Sequence, residues 1–438
     1  MADLSINLAG IKSPNPFWIA SGPPGNTGYQ CERAFDAGWG GVVWKTIGEP
    51  IVNVSSRYSA LNYGQTRMIG LNNIELISDR SPETNFREIY EVKKRWPNHA
   101  VIASLMVDSR ERWHEFVQRS IDSGADGIEL NFGCPHGMCE RGMGSAVGQQ
   151  PKVAETIVGW VMEAAKGKIP VIVKLTPNIT DVTQAARAAR RAGGDAISLI
   201  NTINSITQVN LDNFVPEPYV QGQSSHGGYC GPAVKPIALN MVQSCAEDPE
   251  VQLPISGIGG ISNWRDAAEF IALGSTSVQV CTAVMHYGFR IVEDMAEGLS
   301  NYLDSKGFKS VNELRGKAVH SLNRWENLNL NFKRVAQIDY DKCIGCNLCF
   351  IACEDGAHQC IDLVSPEGYG LGPGRLPGKP VPKIRQEDCV GCNLCSLVCP
   401  VDDCINMVTI DTGRPFFSWR EYQDKLAKGE MQPIPPHP

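Results

Sequence analysis

The sequence predicts a (β/α)8 barrel followed by a small α+β module, and three observations carry that prediction. Through the first 310 residues, short runs rich in Val and Ile alternate with amphipathic stretches, as in parallel strands joined by helical crossovers. Eight such units fit, the number that closes a barrel. Beyond them the rhythm stops, and eight of the 16 cysteines fall into two short runs. At 438 residues the chain is too long for one typical domain. A barrel over 1–307, a linker over 308–334 and a module over 335–438 are expected.

The expected strands are Phe17–Gly22, Gly41–Thr46, Val101–Met106, Gly127–Cys134, Val171–Thr176, Ala196–Thr202, Pro254–Gly260 and Ser277–Met285. Helices are expected near Gln30–Ala37, Ser81–Arg95, Arg112–Ser123, Pro151–Ala165, Asp181–Ala192, Lys235–Ala246, Asn263–Leu273 and Arg290–Leu303. The rival is a doubly wound open sheet, which usually carries a glycine-rich turn after its first strand. Ser21-Gly22-Pro23-Pro24-Gly25 does not fit G-x-G-x-x-G.

Composition narrows the class. A net charge of −7 with no basic cluster argues against a nucleic-acid binder. No apolar run of about 18 residues exists, so no membrane-spanning helix is expected. Met1–Gly10 lacks the basic and apolar regions of a signal peptide. The cysteines then read as metal ligands in a reducing, cytoplasmic setting rather than as disulfides.

In such a barrel, function collects at the C-terminal ends of the strands. Those ends read Ser21, Lys45-Thr46, Asn131 and Cys134, Lys174, Asn201-Thr202, Gly259-Gly260 and Cys281-Thr282. Two lysines there suit an anion or an electron-rich ring. Ile255–Ile261 runs from a strand toward a helix, and Gly259 and Gly260 there let backbone N–H groups approach a phosphate. Thr282 can add its hydroxyl. The loops after strands seven and eight are the usual phosphate site of this fold. Cys134, before Pro135 and a Gly/Met-rich loop that runs to Gly148, is placed to deliver or remove a proton beneath a lid. Cys139 reads as incidental. Cys31, Cys230, Cys245 and Cys281 have no ligand-like spacing.

Cys343-x2-Cys346-x2-Cys349-x3-Cys353 and Cys389-x2-Cys392-x2-Cys395-x3-Cys399-Pro400 both match the spacing of bacterial [4Fe–4S] ferredoxins. The fourth cysteine of such a run ligates the other cluster. Cys343, Cys346, Cys349 and Cys399 therefore form one expected set, and Cys389, Cys392, Cys395 and Cys353 the other. Zinc sites usually pair two C-x2-C units into one set of four, which this pattern exceeds. Cys360 and Cys404 lie outside it. Clusters move single electrons, whereas organic reductions usually take two, so the barrel needs a group that stores and combines them. Flavin does this and carries a phosphate.

At this point a resemblance is specific. Asn15-Pro16-Phe17, Gly38-Trp39-Gly40-Gly41 leading to Lys45-Thr46, Asn131-x-x-Cys134-Pro135-His136-Gly137-Met138, Asn201-Thr202, Ile255–Ile261 and the two cysteine runs resemble the dihydropyrimidine dehydrogenases. The likeness is to their pyrimidine-reducing subunit, whose barrel is of the dihydroorotate dehydrogenase superfamily. It implies FMN held by Ser21, Lys45, Thr46, Asn131, Lys174, Gly231, Gly259, Gly260, Cys281 and Thr282. It implies uracil or thymine gripped by Asn53, Asn131, Asn201 and Thr202, with Asn204 nearby. Hydride would reach the 6-carbon and Cys134 would protonate the 5-carbon. It further implies a partner flavoprotein with FAD that takes electrons from NAD(P)H, and pairing of this chain within a heterotetramer. Gly133 stands where these enzymes often have serine.

Two other readings compete. Dihydroorotate dehydrogenases typically have asparagine after the Cys-Pro pair, where this chain has His136. An electron-transfer protein with a scaffold barrel would have no use for polar strand ends or for Cys134.

Overall fold

A computed structural model describes residues 2–135, 142–370 and 378–433. The chain divides into two compact units, Met1–Leu322 and Asn323–Pro438.

The first unit is a closed barrel of eight parallel strands. They are Phe17–Ile19, Gly41–Val43, Ala100–Leu105, Gly127–Asn131, Val171–Lys174, Ala196–Leu199, Ile255–Ile258 and Ser275–Val280. Each pairs with its neighbour in sequence, and the eighth closes on the first with Val278 opposite Phe17. Their burial is nearly continuous, as expected of strands covered by helices outside and by one another's side chains inside. The helices match the sequence reading closely, Pro151–Ala165 to the residue. Thr27, Ser81, Ser109, Asp181 and Asn263 cap helix starts with their side-chain oxygens, satisfying N–H groups that have no partner inside the helix. Gly38 ends the first helix at φ 110°, a left-handed position that favours glycine.

The expected strands ran on past their observed ends, most of all the eighth. Ser275–Val280 stops at Cys281, and Thr282–Tyr287 is helix rather than strand. The expected linker is divided as well. Val311, Leu314 and Val319 are buried with the barrel, so the stretch to Leu322 is part of that unit. Lys333–Ile338 is already a strand of the second.

A small antiparallel sheet stands outside the barrel pattern and was not anticipated. Its order is Ile203–Ser205, Gly227–Cys230, Thr66–Asn73 and Tyr58–Tyr63. It combines insertions after the second and sixth barrel strands. At Gly70 a Cβ would fall 1.7 Å from the Tyr229 hydroxyl, so only glycine lets that ring lie across the sheet.

The second unit pairs Lys333–Ile338 with Ile405–Ile410 and Ile361–Val364 with Val381–Ile384. Helices Leu348–Gly356 and Leu394–Leu397 follow the first two cysteines of each run. The two runs turn identically: Gly345 and Gly391 have φ 69° and 75°, Asn347 and Asn393 have φ 59° and 72°. Gly and Asn are the residues that tolerate this left-handed region.

Candidate functional site

The C-terminal ends of the barrel strands and the small sheet enclose a cavity of about 1140 Å³ that opens to solvent. Ser21, Lys45, Thr46, Asn131, Cys134, Lys174, Asn201, Thr202, Gly231, Gly259, Gly260, Cys281 and Thr282 all line it, although they come from strands spread over 260 residues of sequence.

A chain of hydrogen bonds fixes the floor. Asn131 Nδ2 donates to Thr46 Oγ1 at 2.9 Å, and Thr46 also bonds Ser21 at 3.1 Å and Ser104 at 3.0 Å. Asn131 Oδ1 accepts from Asn201 Nδ2 at 2.9 Å and from the Gly133 backbone at 3.2 Å. Asn201 Oδ1 accepts from Thr202 N at 2.8 Å. These groups hold one another's rotamers, the preorganisation that a site for a flat polar ring needs. Gly133 packs closely against this network: a Cβ there would lie 2.4 Å from Asn201 Cβ unless Asn201 shifted.

Both lysines of the mouth face carboxylates. Lys174 Nζ lies 3.3 Å from Glu129 Oε1, and Glu129, fully buried, also accepts from Ser198 at 2.8 Å and Gln279 at 3.0 Å. Lys45 pairs with Glu75, which also accepts from Tyr58 and lies 3.4 Å from Arg57 Nη1. Burial first, then the Glu75 carboxylate, raise the Tyr58 hydroxyl, so Tyr58 remains a donor at neutral pH. Burial pushes the Cys230 thiol up to about 11 and Cys281 up to about 12. Both stay uncharged, and Thr282 Oγ1 donates to Cys230 Sγ at 3.2 Å.

The phosphate end has the form of a glycine cradle. Gly259 and Gly260 have φ 126° and 77°, and a Cβ at either would lie 2.8 Å from the Cβ of Ala238 or of Lys235. Glycine alone lets the backbone line the cavity here. The following helix begins only at Trp264 and is capped by Asn263, so the glycines offer backbone N–H groups rather than a helix terminus.

Cys134 faces the cavity from the end of the fourth strand and packs with the buried Ile77, Met106 and Met143. Its carbonyl accepts from Ser145 N at 2.9 Å, and Ser145–Gly148 forms a short helix. The expected lid falls largely on residues 136–141, which with His136 and Cys139 lie outside the described residues.

Two expected positions do not meet the cavity. Asn53 does not line it; its Oδ1 accepts from Leu76 N at 2.9 Å, which ties a loop to the wall behind the site. Asn204 is exposed, on a strand whose backbone is held by Asn178 Oδ1 at 2.8 Å. Sequence reasoning missed Tyr58, Asn73, Glu75, Tyr229 and Cys230, all of which line the cavity. Asn73 spends one Nδ2 hydrogen on Gly228 O at 2.9 Å. The available signal was the β-rich stretch on either side of Asn62-Tyr63-Gly64, a hairpin pattern.

In the second unit the cysteines surround two further cavities. One of about 330 Å³ is lined by Cys343, Cys346, Cys349 and Cys399, the other, about 350 Å³, by Cys353, Cys389, Cys392 and Cys395. Each run thus sends its fourth sulfur to the other's cavity. Apolar residues complete the linings, Ile338 and Ile405 in one and Ala336 and Met407 in the other. The sulfurs ring these spaces; among the described residues no three His, Cys, Asp or Glu converge on a point that would hold a single ion. Burial pushes the Cys349 thiol up to about 12 and the Cys395 thiol up to about 11.

Comparison with known proteins accords with this geometry. The dihydroorotate dehydrogenase family model matches residues 3–303, and a 4Fe-4S dicluster domain model matches residues 336–407. The chain belongs to the dihydroorotate dehydrogenase family. It is a member that carries a dicluster domain, and its cofactors are FMN and two [4Fe–4S] clusters. It is 43% identical over 362 residues to the NAD-dependent dihydropyrimidine dehydrogenase subunit PreA of Escherichia coli, across 82% of this chain and 87% of that one. It is 43% identical over 333 residues to the chloroplastic dihydropyrimidine dehydrogenase (NADP(+)) of Arabidopsis thaliana, covering 73% and 77%. To the catalytic subunit of dihydroorotate dehydrogenase B (NAD(+)) of Thermococcus kodakarensis it is 36% identical over 322 residues, 73% of this chain and 99% of that one.

Proposed function

We propose that this family member is an oxidoreductase that reduces uracil or thymine to the 5,6-dihydropyrimidine, reversibly. One observation carries the reading. Asn73, Asn131, Asn201 and Cys134 meet at one cavity in which both lysines already face glutamates.

Uracil offers alternating carbonyl and N–H groups, and carboxamides can pair with both. Asn201 and Asn73 would orient the ring, with Thr202 beside them and Asn131 as the shared anchor. Cys134 would hold the proton delivered to C5, and the apolar residues behind it would keep water from competing. Ser21, Lys45, Thr46, Lys174, Gly231, Gly259, Gly260, Cys281 and Thr282 would hold FMN. Bound FMN would supply two-electron chemistry and the clusters single-electron transfer. Cys343, Cys346, Cys349 and Cys399 would ligate one cluster; Cys353, Cys389, Cys392 and Cys395 would ligate the other.

The relative from Thermococcus raises dihydroorotate oxidation as a second reading. Orotate carries a carboxylate, and the only lysines lining this cavity among the described residues are Lys45 and Lys174, each paired with a glutamate. That arrangement favours a neutral ring.

The sequence has no dinucleotide fingerprint, so electrons from NAD(P)H would enter through a partner flavoprotein with FAD. Two copies of this chain would pair within a heterotetramer in the cytoplasm. Among the described residues no helix is long and apolar enough to cross a membrane.

The test uses the chain loaded with flavin and iron and reduced by dithionite. Uracil and thymine should reoxidise it and orotate should not. Reoxidation by orotate alone would overturn the assignment. NADH without a partner should leave the flavin oxidised, and its rapid bleaching would remove the partner from the scheme.

A further inference from the structure

Each cluster cavity contains a fifth cysteine that the ligand pattern leaves unused. Cys360 lines the cavity of Cys353, Cys389, Cys392 and Cys395, and Cys404 lines that of Cys343, Cys346, Cys349 and Cys399. Both are buried, at 5% and 2% exposure. They hold equivalent places in the two halves: each follows the last cysteine of its run by a few residues and immediately precedes the isoleucine that opens a strand, Ile361 or Ile405.

A buried cysteine by itself is a small hydrophobe. The distances at Cys360 go further. Its Sγ lies 3.6 Å from Cys353 Sγ, and its backbone N–H donates to the same sulfur at 3.4 Å. Cys404 likewise touches a ligand thiol, that of Cys399, but its Sγ also donates to the Asp339 carbonyl at 3.7 Å. Both extra thiols thus reach a ligand sulfur, but only Cys404 is also tied to a backbone carbonyl, while Cys360 adds its own backbone N–H to the same ligand sulfur.

We propose that Cys360 is a reserve ligand of the cluster assigned to Cys353, Cys389, Cys392 and Cys395. In the intact protein it hydrogen-bonds to the Cys353 sulfur. When that sulfur is removed it takes over the vacant iron. The inference rests on the ligand sets proposed above.

To occupy the place of its neighbour, Cys360 Sγ would have to cover the 3.6 Å between the two sulfurs, which takes a χ1 change together with a small shift of the loop that carries it. In the exchange one Fe–S bond forms to Cys360 where the bond to Cys353 is missing. The Cys360 thiol proton leaves to solvent, and no electron changes hands. While Cys353 is present, the donors on Cys360 draw charge from the ligand sulfur. Hydrogen bonds to cluster sulfurs are among the features that set the potential, and these favour the reduced cluster.

The experiment compares anaerobically reconstituted full chains by iron content and by EPR-monitored redox titration; neither readout involves pyrimidine turnover. Cys353→Ala should retain about eight irons, as two intact [4Fe–4S] clusters require. Cys353→Ala/Cys360→Ala should fall to about four. Cys360→Ala alone should keep both clusters and lower the potential of one. Loss of four irons in Cys353→Ala while Cys360 is present overturns the proposal. Full iron in the double variant also overturns it, and shows that the ligand set itself is wrong. Should Cys353→Ala fail to fold, Cys360→Ala decides, because an unchanged potential means that Cys360 does not act on the cluster.

Discussion

The barrel mouth and the cluster module solve the same problem, holding a redox group, by opposite routes. In the module each ligand set is almost complete within seven consecutive residues, and the local backbone shapes it: glycine and asparagine at positive φ turn the chain so that successive sulfurs face one space. Only the fourth sulfur comes from a distance. In the barrel no two neighbouring residues make a site. Thr46, Asn131 and Asn201 belong to three different strands and become one unit only through the bonds linking their side chains. A locally encoded site should therefore fail piece by piece, and a network should fail as a whole.

The largest test of that difference is Cys134→Ala. A general acid contributes about 10²–10⁴ in rate. Turnover with uracil should fall by that factor while flavin and iron contents stay at wild-type levels. Near-normal turnover would remove Cys134 from the chemistry.

Gly133→Val, with a β-branched side chain, tests the network itself. The new Cβ would stand 2.6 Å from Asn201 Nδ2, and overpacking of this kind costs about 1–3 kcal/mol. KM for uracil should rise roughly tenfold or more, with a smaller change in kcat. An unchanged KM would mean that Asn201 does not grip the pyrimidine.

Cys346→Ser tests the local site. Iron should drop from about eight to about four per chain, because one of two clusters is lost, and FMN should remain bound. If flavin is lost as well, the two regions are not independent.

The smallest effect belongs to a pair away from both sites. Arg187 Nη2 and Nε reach Asp248 Oδ2 at 2.6 and 3.0 Å, tying one barrel helix to the end of the next. These hydrogen bonds hold the Asp248 carboxyl below the usual carboxylate range. A carboxyl with a depressed folded-state pKa contributes its stability above the ordinary value of about 3.9 and loses it as pH falls through the folded value. With the arginine half-exposed, Asp248→Asn should cost about 1 kcal/mol or less at pH 7. Urea titrations should show the gap closing as the solution is acidified.

The sequence by itself determined the barrel, the order of its strands and both cysteine sets. Each rests on periodicity, spacing or a backbone preference that neighbouring residues express without help. Cys353 and Cys399 line exchanged cavities, the crossing that the spacing rule leads one to expect. The ends of the strands were less legible. Cys281-Thr282 continues an apolar run, yet the chain turns there into helix, since once past the rim the backbone no longer has a neighbouring strand to bond. What only the tertiary structure decided is which polar residues face the cavity. Asn53 and Asn73 look alike in sequence, but Asn53 bonds the backbone of Leu76, whereas Asn73 reaches the mouth from the small sheet. That sheet joins segments more than 150 residues apart, Asn73 beside Gly228. A contact of that kind leaves no periodic trace in either segment, because its register is fixed by the partner strand and not by the sequence on either side.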